Sequence, residues 1–198
     1  MRIGLFGGTF DPVHYGHLRL AEEAREAAQL ERVLFIPAHV SPFRTAESHA
    51  APEHRLEMLR LAVQDNPVFE VSEVEIRRSG ISYTVETVLA LRSLYPRAEL
   101  FLILGTDALL GFPQWRSPEV IARECFLLVG VRPEYDLEEV LATLPEPFRA
   151  RVQPVPMTPL GISASEIRAR VRAGRSIRYL TPPNVIEYII RHRLYLEP

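Results

Sequence analysis

Two histidines three residues apart, His14 and His17, stand just after a pair of glycines and an aspartate in the stretch Arg2-Ile3-Gly4-Leu5-Phe6-Gly7-Gly8-Thr9-Phe10-Asp11-Pro12-Val13-His14-Tyr15-Gly16-His17. At that spacing the imidazoles share one face of a helical turn. The preceding apolar run reads as a strand, and Gly7-Gly8 turns the chain at its carboxyl end. Glycine there lets a ligand reach the main chain without meeting a Cβ. A helix opening near Tyr15 or Gly16 aims its N–H groups and positive dipole end at the same place. Together these features describe a site for anionic phosphate. Three plainer readings use the same residues: an ordinary turn, two solvated histidines, or a metal pair with Asp11 as third ligand. A closed metal site needs a fourth ligand, and Cys125 is the only cysteine.

The glycine spacing differs from the dinucleotide fingerprint, which has offsets of two and five. A P-loop needs a lysine, and all 23 basic residues are arginine. The lack of lysine excludes Schiff-base chemistry and lysine general bases. Cationic phosphate ligands must therefore be arginine, whose planar fork suits phosphate.

The elements that position these residues alternate. Leu18–Leu30 is predicted as an amphipathic helix with Leu20, Ala21, Ala24 and Ala28 inside and Arg19, Glu22, Glu23, Arg25 and Glu26 outside. Arg32–Pro37 reads as a buried strand, giving a right-handed parallel crossover. Pro37–Pro52 is a long loop of the kind that serves as a lid. Pro52–Asp65 is a helix facing Leu56, Leu59, Ala62 and Val63 inward. Phe69–Val71 and Val74–Ile76 alternate as short strands, and Ser82 is placed as the N-cap of a helix reaching Leu94. Glu99–Gly105 is a continuous apolar run, hence a central parallel strand. Asp107 after it suits a ribose hydroxyl or, equally, an N-cap. Cys125–Gly130 is another buried strand, with Cys125 as core. Arg132-Pro133 follows at the ligand-facing end. Leu137–Leu144 reads as a short helix and Arg151–Val155 as an edge strand. Ser163 and Glu166 form a capping box whose helix start, with Arg168, is a second anion site. Arg168, Arg172 and Arg175 share a face of the kind usually solvated. A last helix, Pro183–Arg193, packs through Val185, Ile186, Ile189 and Ile190.

Composition sets the bounds. The 198 residues suit a single domain over 1–198, and a net charge of −2 gives no global pull toward nucleic acid. One cysteine excludes an internal disulfide framework and fits a reducing cytosol. No basic and apolar leader is visible, and no apolar run approaches the roughly 20 residues that span a bilayer. The expectation is a cytoplasmic chain with neither nucleic-acid nor membrane partners.

The run Gly7-Gly8-Thr9-Phe10-Asp11-Pro12-x-His14-x-Gly16-His17 resembles the signature of the nucleotidyltransferases with a His-x-Gly-His motif. Further along, Ser82-Tyr83-Thr84 and Gly105-x-Asp107-x-Leu109-x-x-Phe112-x-x-Trp115 are similar to those of one branch, the bacterial nicotinate mononucleotide adenylyltransferases, and Ile162-Ser163-x-x-x-x-Arg168 resembles the family's Ile-Ser-x-x-x-x-Arg pattern. The four motifs stand in the family's order over nearly the whole chain. In the lid the family usually has a His before its cation, where this chain has Phe43-Arg44.

The resemblance implies an α/β fold with a Rossmann-like doubly wound parallel sheet of nucleotidyltransferase type. The implied reaction moves AMP from ATP to nicotinate mononucleotide in NAD biosynthesis, by direct in-line attack without a covalent intermediate. Catalytic roles fall to His14, His17 and Arg168. ATP contacts fall to Gly7, Gly8, Thr9, Phe10, His14, His17, Gly105, Asp107, Ile162, Ser163 and Arg168, and acceptor contacts to Ser82, Tyr83, Thr84, Trp115 and Arg44. Mg²⁺ is implied as a cofactor carried on the ATP phosphates, with no resident metal. A homo-oligomer is compatible with the family. Two alternatives stay open: a sibling transferase acting on nicotinamide mononucleotide or phosphopantetheine, and an idle nucleotide-binding protein.

Overall fold

The structure, a computed structural model, describes residues 1–43, 50–131 and 135–196. Arg44 and Arg132-Pro133 lie outside the described residues. Among the described residues six strands form one sheet: β1 Arg2–Gly8, β2 Arg32–Pro37, β3 Phe69–Val71, β4 Glu99–Gly105, β5 Cys125–Gly130 and β6 Val152–Val155. Their order is β3-β2-β1-β4-β5-β6. The chain winds outward from β1 in one direction and from β4 in the other, so the order reverses between these two strands. The fold is the doubly wound α/β sheet, whose ligands gather at the carboxyl ends of the strands at that reversal. The pairs β1–β4, β4–β5 and β5–β6 are parallel, with Leu5 opposite Leu102 and Gly105 opposite Gly130. Among the described residues ten helices follow the strands in turn: α1 Tyr15–Ala28, α2 Pro52–Val63, α3 Val74–Arg78, α4 Thr84–Leu94, α5 Thr106–Gly111, α6 Pro118–Glu124, α7 Leu137–Ala142, α8 Glu146–Arg149, α9 Ala164–Arg172 and α10 Pro183–Arg191.

The chain forms two compact units. The first comprises 1–7, 20–34 and 83–159. The middles of β1, β4 and β5 are apolar, and Ile3, Phe101, Leu127 and Val129 are fully buried. Cys125 belongs to this core. Burial pushes its thiol up to about 12, which leaves it inert at neutral pH. Glu23, expected outside, is buried because its carboxylate accepts from the N–H and hydroxyl of Thr158 (2.9 and 2.6 Å to Oε1).

The second unit comprises 8–19, 35–82 and 160–198. Here three expectations are corrected. Val74–Ile76 is not a strand but the start of α3; three alternating residues are too few to fix a period, and the Glu73–Arg77 ion pair spans the turn (3.1 Å). The hydrogen bond from Arg77 holds the Glu73 carboxyl below its usual range. Ser82 does not cap α4. It is buried, its Oγ accepts the His39 N–H (2.9 Å) and its own N–H reaches the Val40 carbonyl (2.8 Å), so Tyr83 takes the cap position. On α10 Val185 and Ile189 pack inward, whereas Ile190 is exposed. No helix of the described residues is long and apolar enough to cross a membrane.

Arg55 sits within this unit at 1 % exposure. Its Nε, Nη1 and Nη2 donate to the carbonyls of Ala50, Thr9 and His39 at 3.2, 2.8 and 3.0 Å. A buried cation needs such partners, and removing it leaves the carbonyls without their donor. Arg55→Met is expected to lower the unfolding free energy by about 2–4 kcal/mol, read as a drop in denaturant midpoint. A midpoint equal to that of the natural chain would contradict the assignment.

Candidate active site

The second unit carries the histidine loop. Gly8 has no Cβ because one would stand 3.0 Å from Cζ of the Phe10 ring; a Cβ on Gly7 would meet only open space. Only Gly7 therefore has the free approach read from the sequence for both glycines. Phe10 is itself buried, with positive φ, against Phe35 and edge-on to His17. Any ligand contact from Phe10 must come from its main chain. Asp11 and Pro12 are joined by a cis peptide bond. Asp11 is 1 % exposed, and its Oδ1 accepts from the Tyr195 hydroxyl (2.7 Å).

His14 and His17 come together as the spacing required. Their rings stack at 3.6 Å between centroids. The His14 N–H donates to Nδ1 of His17 (3.2 Å). A ring nitrogen that accepts carries no proton, so the neutral His17 ring holds its proton on Nε2 and is a donor there. Gly16 between them is required by space: its Cβ would stand 3.0 Å from His14 Nδ1 and 3.1 Å from Cε1. At the start of α1 the Tyr15 N–H is taken by the Leu180 carbonyl (3.0 Å) and that of His17 by His14 (2.9 Å).

Arg168 belongs to the same unit. It leaves the solvated face expected of the α9 arginines and is 8 % exposed, its Nη1 donating to the Asp11 carbonyl (2.7 Å). Arg172 and Arg175 do lie at the surface. Ser163 caps α9 by accepting the Glu166 N–H (3.2 Å). The capping box is only half formed, because the Glu166 carboxylate turns to Arg170 (3.1 Å) rather than back to the cap. Ile162 precedes the cap, and its carbonyl lies 3.6 Å from where a Gly16 Cβ would be.

The first unit holds the remaining candidates. Gly105 ends β4, and a Cβ there would also meet open space. Thr106 is buried, its hydroxyl tied to the Gly130 carbonyl (3.1 Å), which joins the ends of β4 and β5. Asp107 is not an N-cap. It stands in the first turn of α5, exposed, accepting from the Tyr135 hydroxyl (2.5 Å). Trp115 follows a 3₁₀ turn, Phe112–Gln114, and is half-buried against Phe112 (5.4 Å). Tyr83 and Thr84 open α4, where no side chain caps the first-turn N–H groups. The Arg116 guanidinium covers the Tyr83 ring at 4.5 Å and pairs with Glu86 (3.1 Å). Thus 8–17, Ile162, Ser163 and Arg168 share one unit, and Gly105, Asp107, Tyr83, Thr84 and Trp115 share the other.

Sequence reasoning missed Arg55, Thr181 and Tyr195, which reach the histidine loop from 46, 168 and 184 residues away. Such separations leave no periodic trace. Gly16→Ala should displace the His14 ring while the fold is retained. Imidazole NMR signals of His14 identical to those of the natural chain would refute the spatial argument.

The cytidylyltransferase-like family model matches residues 5–170. A protein of Thermomicrobium roseum named "probable nicotinate-nucleotide adenylyltransferase" is 47% identical over 98% of this chain and 91% of its own. One of the same name from Dictyoglomus turgidum is 43% identical over 100% and 97%. Among solved structures, the nicotinic acid mononucleotide adenylyltransferase of Plasmodium falciparum complexed with NaAD superposes with a TM-score of 0.81. It is 19% identical and covers 98% of this chain and 97% of that one, a likeness of fold. With full-length identity of this order and the histidine, Trp115 and Arg168 motifs in place, the chain belongs to the nicotinate-nucleotide adenylyltransferase family of cytidylyltransferase-like proteins.

Proposed function

We propose that the chain transfers AMP from ATP to nicotinate mononucleotide, giving nicotinate adenine dinucleotide and pyrophosphate, as the relatives' names imply. The observation that carries the reading is the His14 N–H bond to His17 Nδ1, which leaves Nε2–H of His17 as a fixed donor. An acceptor phosphate with a second pKa near 6 is mostly dianionic at neutral pH and needs no general base. Its oxygen attacks the α-phosphorus as the bond to the bridging oxygen breaks and pyrophosphate departs. Catalysis then reduces to positioning and charge stabilisation. His17 donates to the charge growing on the α-phosphoryl oxygens, and His14 supports it by stacking. Arg168, with one N–H group committed to Asp11, contributes charge toward the departing pyrophosphate, as does the α9 start at Ser163.

Mg²⁺ belongs to this reading as an ion brought with ATP, which would supply positive charge to offset that of the phosphates. Among the described residues no group of three or more His, Cys, Asp or Glu could hold a metal, so no residue is assigned as its ligand. The reading places Asp107 on the ribose of ATP; Tyr135 holds that carboxylate by one oxygen, Oδ1. Work in the cytoplasm completes it.

The acid is the better acceptor on chemical grounds. A carboxylate only accepts hydrogen bonds, whereas an amide must also donate. The uncapped start of α4 at Thr84 offers donors alone, and Trp115 offers an indole face for the pyridine ring. A site that pairs a polar group rejects the analogue that leaves its atoms unmatched. We therefore expect kcat/KM for nicotinate mononucleotide to exceed that for the nicotinamide form, measured as pyrophosphate release. Equal values or an amide preference would overturn the acceptor assignment and leave adenylyl transfer intact. His17→Ala is expected to lower kcat roughly 100- to 1,000-fold with little change in KM for ATP. Unchanged turnover in folded protein would remove His17 from the reaction.

A further inference from the structure

The histidine loop is held from behind by the end of the chain. The Thr181 hydroxyl donates to the Val13 carbonyl (2.8 Å), and Thr181 is fully buried. The Tyr195 hydroxyl donates to Asp11 Oδ1 (2.7 Å), with Tyr195 6 % exposed. The Leu180 carbonyl takes the Tyr15 N–H. Three bonds from residues 180–195 thus fall on residues 11, 13 and 15. Between them lies His14, whose own N–H fixes the His17 ring. The segment is anchored in turn: Val185 and Ile189 of α10 are buried, and the Asn184 amide donates to the Leu61 carbonyl (2.6 Å).

Burial, and next the adjacent Asp11 charge, push the Tyr195 hydroxyl well above its ordinary range. It therefore remains a protonated donor at any working pH. Arg168 and Arg55 lie close enough to act on the same hydroxyl by charge, so a carboxylate, a phenol and two guanidinium groups make one buried polar cluster under the loop. In such a cluster each member fixes the geometry of the next, and one missing donor strands the others.

We propose that Tyr195 and Thr181 are positioning residues for the histidine pair: they hold residues 11–15 so that the His14 N–H meets His17 Nδ1 and Nε2–H of His17 faces outward. The reach is indirect, from hydroxyl to loop main chain to imidazole. Neither hydroxyl touches substrate in this scheme. The catalytic meaning rests on the adenylyl-transfer reading, but the effect on the His17 ring does not.

The test uses the full chain as Tyr195→Phe and Thr181→Val, each removing one hydroxyl and keeping the bulk. Two readouts are taken: ¹⁵N imidazole NMR of His17, and kcat with KM for ATP. In the natural chain Nδ1 of His17 should read as an unprotonated acceptor and Nε2 as N–H. Each variant should lose that bias. For Tyr195→Phe kcat should fall about 10- to 100-fold, the scale known for hydrogen-bond partners behind metal-bound histidines, with KM for ATP nearly unchanged. If Tyr195→Phe does not fold, Thr181→Val carries the same two readouts. A variant that melts earlier but keeps the natural His17 spectrum and kcat would show a merely structural role and overturn the proposal. Loss of the spectral bias in a chain that does not transfer AMP at all would uphold the positioning and overturn the function instead.

Discussion

Two buried arginines gripping main-chain carbonyls are the constraint on which this site depends. Arg55 holds Thr9, and Arg168 holds Asp11 two residues further on. A loop that opens a helix cannot satisfy its carbonyls by regular pairing, and buried backbone groups need partners. Side chains from α2 and α9 supply them. The cost is two guanidinium groups taken out of water. The Asp11 carboxylate lies in the same cluster, as its effect on Tyr195 shows. Arginine suits this work better than lysine because its rigid fork reaches three carbonyls at once, as Arg55 does.

From that grip the rest follows outward. With Thr9 to Asp11 fixed, Phe10 is turned into the interior, where it packs on Gly8 and meets His17 edge-on. With Val13 and Tyr15 fixed from the chain end, the His14 N–H meets His17. On the proposed reading, the face that reacts is therefore prepared before any substrate arrives. Preorganised donors of this kind need no rearrangement as charge develops, which is where most of their catalytic value lies. The same logic makes Gly16 a matter of room for the His14 ring and not of backbone freedom.

The strands β1, β2 and β4 were legible from their apolar runs, and the histidine pair, the Ser163 cap and the buried Cys125 from local spacing. Several polar residues were misread because their partners are not visible in the periodicity. Ser82 looked like a cap because caps are recognised from neighbours in sequence, yet its partner His39 is 43 residues away. Glu166 was placed in a capping box, but Arg170 one turn on gives it a better partner. Glu23 looked solvated on a helical wheel until Thr158 reached it from 135 residues away. Arg168 was recognised by motif and its charge correctly noted, but its burial depends on Asp11, 157 residues earlier. Periodicity reports which face is apolar; it carries nothing about which polar group a distant segment will satisfy.

On the proposed reading, this chain moves an adenylyl group by positioning and charge stabilisation, in one displacement at phosphorus, with no covalent enzyme intermediate. The stereochemistry at that atom tests it most directly. ATP carrying a single sulfur on its α-phosphorus, of defined configuration, is turned over with nicotinate mononucleotide, and the configuration of the phosphorothioate dinucleotide is read by ³¹P NMR. One in-line attack inverts the centre, and inversion is the predicted result. Retention would require two displacements, hence a protein-bound adenylyl group, and would contradict the account.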